Sequence, residues 1–265
     1  MARLHGYGLT IESAFDVPGA TRPAEAAGAP DMIVEAGSVP APTEGPRRGL
    51  FQLSEGRIVI DCAAGRLACE RGAAITVDAA RGASAQDVGV ALAQLALPTL
   101  IWMRGDIVLH ASAAVPPGER AAVVFLGPSG AGKSTVLRRL LAEGAGVVAD
   151  DTVRLSDAGG RLTVSGLPAL IWDADDGDSA ARGVTVVAER ARVDAAPLGA
   201  FCWLGTGASG ETASPPARLQ ALLASRYRCN PARLLGLVPA MLPRLGAIAR
   251  STPFLDRVPG AAQRA

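Results

Sequence analysis

Gly127-Pro128-Ser129-Gly130-Ala131-Gly132-Lys133-Ser134-Thr135 satisfies the pattern G-x-x-x-x-G-K-[ST]. Glycines in such a loop let backbone N–H groups converge on an anion, while the lysine reaches the outer phosphates of a nucleotide. The flanks have the order this geometry requires. Ala121-Ala122-Val123-Val124-Phe125-Leu126 is a short apolar run of strand type, and Ser134 to Glu143 reads as a helix with Val136, Leu137, Leu140 and Leu141 on one face. Composition sharpens the reading: of 26 Lys and Arg residues 25 are arginine, and Lys133 is the only lysine. A chain that uses arginine everywhere else keeps a compact ammonium where it would sit between phosphates.

Downstream, Gly144-Ala145-Gly146 is suited to ending the helix, and Val147-Val148-Ala149-Asp150-Asp151 reads as an apolar strand that finishes in two adjacent carboxylates. Neighbouring strand residues face opposite ways, so both carboxylates reach one site only if the strand ends there. The pair also suits a structural turn. Upstream, Ile107 to Val115 reads as one strand whose polar members are His110 and Ser112. The turn Pro116-Pro117-Gly118-Glu119-Arg120 makes it an antiparallel neighbour of the P-loop strand. A single strand histidine is either a structural residue or a member of the site, and register decides which.

Farther out, residues 1 to about 83 have β character, with strands expected at Tyr7–Ser13, Asp31–Glu35, Arg57–Asp61 and Ala74–Asp78. Loops rich in Pro, Gly and Ala separate them at Pro18–Pro30 and Ser38–Gly49. From Ser84 to about Arg104 the pattern is helical. Thr152–Leu155 and Arg161–Val164 flank Asp157-Ala158-Gly159-Gly160 as a hairpin, and Gly166-Leu167-Pro168 is a turn. The acidic run Asp173–Asp178 is a solvated loop that lacks the closing glutamate of a calcium loop. Gly183–Val187 and Leu198–Leu204 are further strands. The tail, about 214–250, is helical: Ser214-Pro215-Pro216 opens one helix, and Asn230-Pro231 opens a second that Pro239 and Pro243 kink or split. The expected division is a β-rich region at 1–83 and an α/β catalytic domain at 84–265.

A net charge of +1 argues against a dedicated nucleic-acid or anionic-membrane surface. The N-terminus lacks the apolar core of an export signal, and the apolar stretch Val88–Met103 falls short of a bilayer span, so a cytoplasmic protein is expected. Cys62, Cys69, Cys202 and Cys229 form no C-x-x-C pair and read as reduced thiols. The sequence leaves a homo-oligomer open.

A phosphate loop works with a divalent cation that neutralises the β- and γ-phosphates. Ser134 is placed to bind it, and Asp150 and Asp151 sit where a neighbouring strand completes the metal shell. A kinase needs a second group to accept the proton of the acceptor hydroxyl, which gives the doubled aspartate a reason. The run Leu109-His110-Ala111-Ser112-Ala113, the loop Gly127–Ser134 and Val148-Ala149-Asp150-Asp151 together resemble the catalytic domain of the HPr kinase/phosphorylase family, which is related in core fold to phosphoenolpyruvate carboxykinase. The resemblance covers roughly residues 105–170 and implies a P-loop kinase core with a mixed central sheet. It implies that Gly127 to Ser134 bind the phosphates of ATP and Mg²⁺, that one of Asp150 and Asp151 serves the metal while the other is the base for a serine hydroxyl, and that His110 stands beside them.

The departures narrow what is implied. After the double aspartate the bifunctional enzymes carry E-I-R-G-L-G, and Ala180-Ala181-Arg182-Gly183-Val184-Thr185 keeps only Arg-Gly, so the resemblance extends to the forward reaction and not to dephosphorylation. Overall architecture is similar to stand-alone HPr-kinase-like proteins encoded beside ribosomal-peptide biosynthesis genes, including kinases of lasso-peptide precursor serines; a peptide or small-protein acceptor is the implied partner. Arg182 and Arg192 are candidates for the arginine that neutralises transition-state charge. Two other readings need fewer residues: an NTPase switch needs only the loop and one aspartate, and a scaffold with a vestigial loop needs neither.

Overall fold

The structure, a computed structural model, describes residues 1–23, 28–70, 73–173, 183–205 and 213–259. Arg182 and residues 174–178 of the acidic run lie outside them. The chain is mixed α/β and forms two compact units, Met1–Asp106 with Arg228–Pro239, and Ile107–Tyr227 with Ala240–Ala265.

The first unit is built on an eight-stranded sheet of β1 (Ala2–Gly6), β2 (Leu9–Ser13), β3 (Met32–Ala36), β4 (Arg47–Arg48), β5 (Phe51–Ser54), β6 (Arg57–Cys62), β7 (Gly65–Glu70) and β8 (Ala74–Ala79), in the order β1-β2-β3-β8-β7-β6-β5-β4. Tyr7 and Gly8, at φ 57° and 65°, form a two-residue turn, so the strand expected over Tyr7–Ser13 begins only at Leu9 and pairs as a hairpin with β1, which the sequence reading did not expect. The helical stretch is α1 (Ala85–Ala91), capped by Ser84 and Asp87, a π-helical turn at Leu92–Ala96, and α2 (Leu97–Met103). It packs on the N-terminal sheet, where the Cys69 thiol donates to Ala96 O at 3.5 Å. The compact unit therefore continues past residue 84, to Asp106.

The second unit contains β9 (Ile107–Leu109), β10 (Ser112–Val115), β11 (Ala122–Leu126), α3 (Lys133–Ala142), β12 (Gly146–Ala149), β13 (Val153–Ala158) and β14 (Arg161–Ser165). There follow β15 (Leu170–Trp172), β16 (Val184–Val186), β17 (Ala195–Trp203), α4 (Pro215–Ala224), α5 (Asn230–Leu234, in the first unit), α6 (Val238–Ser251) and β18 (Phe254–Leu255). Its main sheet runs β12-β10-β11-β17-β14-β13-β9, with β18 beside β17. Among the described residues, its parallel strand pairs are β11–β17 and β17–β18. As expected, β10 and β11 are antiparallel, with Ser112 opposite Phe125.

Two details differ from the sequence expectation in the same region. The run Ile107–Val115 is two strands, because His110 and Ala111 leave the ladder: β9 pairs with β13, and β10 pairs with β11 and β12. In sheet order β9 and β10 are five steps apart. On a flat sheet that is roughly 24 Å, whereas the three links from Leu109 to Ser112 span roughly 10 Å. The sheet is therefore not flat: β17 joins its two halves, pairing with β14 through Ala195–Pro197 and with β11 through Leu198–Trp203. Asp150-Asp151-Thr152 makes the equivalent crossing from β12 to β13. Both crossings lie side by side, Ala111 N donating to Asp151 O at 3.3 Å.

The core under α3 is Leu137 and Leu140 against Phe125, Val147, Ile171 and Cys202, with Val136 and Leu141 at its margin. In the tail, Asn230 lies within the first turn of α5 and makes no side-chain cap. The break before α6 comes near Gly236 (φ 67°), while Pro239 fits the first turn of α6 and Pro243 lies inside it.

Candidate functional site

The loop and the two crossings line one cleft of about 250 Å³ with His110, Ser129, Gly130, Gly132, Lys133, Ser134, Thr135, Arg138, Asp150, Asp151 and Asp173. All are in the second unit. Gly130 and Gly132, at φ 79° and 88°, take a left-handed backbone that a side chain would strain, and nothing lies within 4 Å of where a Cβ would project. Helix α3 begins at Lys133 with no side-chain cap, so its first N–H groups and the positive end of its dipole are left for an anion.

Lys133 is buried and donates from Nζ to Gly127 O at 2.9 Å and Pro128 O at 3.0 Å. Burial pushes its pKa down, and the charges of Asp151 and Asp150 oppose that shift. Among the sequence candidates, Pro128 and Gly127 thus serve through their carbonyls, while Ala131 N bonds back to Pro128 O at 3.2 Å to close the turn.

Asp150 and Asp151 occupy different environments. Asp150 is 4% exposed. Its Oδ1 accepts from Ser112 Oγ at 2.5 Å and from Ser134 Oγ at 3.0 Å, and its Oδ2 accepts from Trp172 N at 2.8 Å. Burial pushes its pKa up; the hydrogen bonds from Ser112, Trp172 and Ser134 act the other way. Asp151, at φ 68°, turns the chain after β12 has ended, which is how two consecutive carboxylates reach one cleft. Its Oδ1 lies 3.2 Å from His110 Nδ1, and Asp151 O lies 3.1 Å from the same nitrogen. The His110 ring stacks on Tyr227 at 6.0 Å between centroids, and the backbone N–H of His110 donates to Ser225 O at 2.6 Å.

Several members of this arrangement escaped the sequence reading. Ser112 was visible as a polar strand residue without an assigned partner. Gly166 lets the chain pass against the aspartate turn: a Cβ there would meet Ala149 Cβ at 2.3 Å and Thr152 O at 2.8 Å. Arg138 and Asp173 line the cleft, whereas Arg192 donates from Nε to Val187 O and is not part of the lining.

The donor set fits a nucleotide phosphate with magnesium. A serine hydroxyl and a carboxylate 3.0 Å apart are hard oxygen donors of the kind Mg²⁺ takes while keeping other positions for phosphate and water. No family model matches the chain, and no curated protein matches it by sequence. Solved structures supply a distant likeness. The chain is similar to the Hpr(Ser) kinase/phosphatase from Coxiella burnetii at 19% identity, over 40% of this chain and 62% of that one, with a TM-score of 0.32. It therefore spans less than two thirds of that protein. No helix among the described residues is long and apolar enough to cross a membrane.

Proposed function

We propose that the protein is an ATP- and Mg²⁺-dependent kinase that transfers the γ-phosphoryl group to a serine hydroxyl of a peptide or small protein, in keeping with the lasso-precursor type of acceptor. The observation that carries this reading is the division between the adjacent carboxylates. Asp150 is buried and held by Ser112, Ser134 and the Trp172 N–H, while the Asp151 carboxylate faces His110.

Magnesium bound with ATP supplies charge neutralisation at the β- and γ-phosphates. Within the chain, the loop N–H groups and the α3 N-terminus orient the phosphates. Lys133 exchanges its two loop carbonyls for phosphate oxygens. Ser134 and Asp150 would hold the cation, with Ser112 and the Trp172 N–H fixing the carboxylate. Asp151 accepts the proton of the acceptor hydroxyl at a carboxylate oxygen. His110, stacked on Tyr227 and in contact with Asp151 Oδ1, orients that carboxylate and steadies its charge.

The test is to titrate ATP with and without Mg²⁺ while following the melting temperature, then to incubate with serine-containing peptides. Saturable, Mg²⁺-dependent stabilisation and phosphoserine are expected, because a ligand that binds only the native state must stabilise it. Absence of any ATP-dependent stabilisation in wild type would leave the vestigial-scaffold reading instead.

A further inference from the structure

Strand β15 ends next to the site yet lies outside the main sheet, pairing among the described residues with β16 in a two-stranded ribbon. Such a ribbon is marginally stable by itself. Nevertheless Trp172, the last residue of β15, must present its N–H to Asp150 Oδ2 within hydrogen-bond distance, at 2.8 Å. The main sheet's ladder does not fix that N–H. Burial of Ile171 and Trp172 anchors the side chains of the strand, and the backbone polar groups at its end are held separately.

Arg138 supplies the second anchor. It lies on α3 one turn beyond Ser134, and its guanidinium reaches three acceptors from separate places. Nη2 donates to Trp172 O at 2.8 Å and to the Asp173 carboxylate, and Nε donates to Thr185 Oγ1 at 3.2 Å on β16. A planar fork can hold such a set, whereas a lysine ammonium is a point donor. The same residue that Arg138 grips by its carbonyl gives its N–H to Asp150, so helix α3, the ribbon and the carboxylate are joined in one chain of hydrogen bonds.

We propose that Arg138 is a positioning residue for Asp150: it sets the Trp172 N–H on Oδ2 and so leaves Oδ1 directed at Ser134 and the cation. This inference rests on the nucleotide-and-magnesium reading of the cleft. It also accounts for an arginine whose side chain lines the site but is committed to protein acceptors.

The test uses Arg138→Met, which keeps much of the apolar stem, and Arg138→Lys, which keeps the charge. Thermal stabilisation by ADP is measured as Mg²⁺ is varied. Loss of a group that orients a metal ligand typically weakens metal affinity about 10–100-fold. The Mg²⁺ midpoint of Arg138→Met is expected to rise by about 10-fold or more, with stabilisation by ADP alone retained; Arg138→Lys falls between the two. A wild-type midpoint in either folded variant overturns the inference. Equal loss of stabilisation with and without Mg²⁺ overturns it too, because it would mean direct contact with phosphate. Should Arg138→Met not fold, the Arg138→Lys midpoint decides. If wild type shows no Mg²⁺-dependent stabilisation, the functional reading itself falls, and this inference with it.

Discussion

Replacing Asp151 by asparagine separates binding from proton transfer. Asparagine is nearly isosteric and tolerates the left-handed backbone at φ 68°, so the turn that brings residues 150 and 151 into the cleft survives. The amide oxygen can still face His110 Nδ1, which lies 3.2 Å from Asp151 Oδ1. Asp150 keeps its bonds from Ser112, Ser134 and Trp172, so Mg²⁺ and ATP binding should change by less than about threefold, or about 0.7 kcal/mol. What is lost is a base able to take the hydroxyl proton. Positioned general bases contribute about 10²–10⁴ in rate, or about 3–5 kcal/mol of barrier. Initial rates of peptide phosphorylation at saturating ATP, compared with ATP-induced shifts in melting temperature, measure the two quantities separately. Full transfer rate in Asp151→Asn would refute the reasoning, as would a rate loss that matches an equal loss of ATP affinity.

Other expectations follow from the same geometry. Gly166→Ala places a methyl group 2.3 Å from Ala149 Cβ, and overpacking of this kind costs about 1–3 kcal/mol. Differential scanning calorimetry should show a lower melting temperature, and kinase assays a lower rate, since Ala149 and Thr152 bracket the aspartates. Ser112→Ala removes a buried donor to Asp150 Oδ1; it should destabilise the protein by about 1–3 kcal/mol in urea unfolding and raise the Mg²⁺ requirement. Asp150 carries a raised pKa from burial, so in the acidic window above the ordinary carboxylate range the folded state binds more protons than the unfolded one. Stability from this group therefore increases as pH falls through that window, and wild type should gain on Asp150→Asn there. A melting-temperature difference that is flat with pH would contradict the assignment.

The order of strand, glycine loop and helix, and the place of Asp150-Asp151 after the next apolar strand, were legible because these elements are contiguous in the chain. His110 was visible as a polar residue in an apolar run, but its separation from the ladder was not. Every residue from Ile107 to Ala114 except His110 and Ser112 is apolar and suits a single strand. The break arises from which strands lie at the ends of the sheet, and that is set by pairings far apart in sequence. Strand β7, Gly65–Glu70, was missed because Gly-Arg-Leu-Ala-Cys-Glu contains no β-branched residue, and it is held by neighbours on both sides. Arg138 was hidden among 25 arginines, and Trp172 acts through a backbone N–H that no side-chain pattern can announce.

The central claim is transfer of phosphate to a hydroxyl of a peptide rather than to water, and the partition of label from γ-labelled ATP measures it most directly. With Mg²⁺ and a panel of peptides carrying internal or terminal serine, label is expected on serine. Lys133→Ala should abolish it, and Asp151→Asn should reduce it by about 10²–10⁴. Label recovered only as inorganic phosphate with every peptide, at a rate unchanged by Asp151→Asn, would contradict the account.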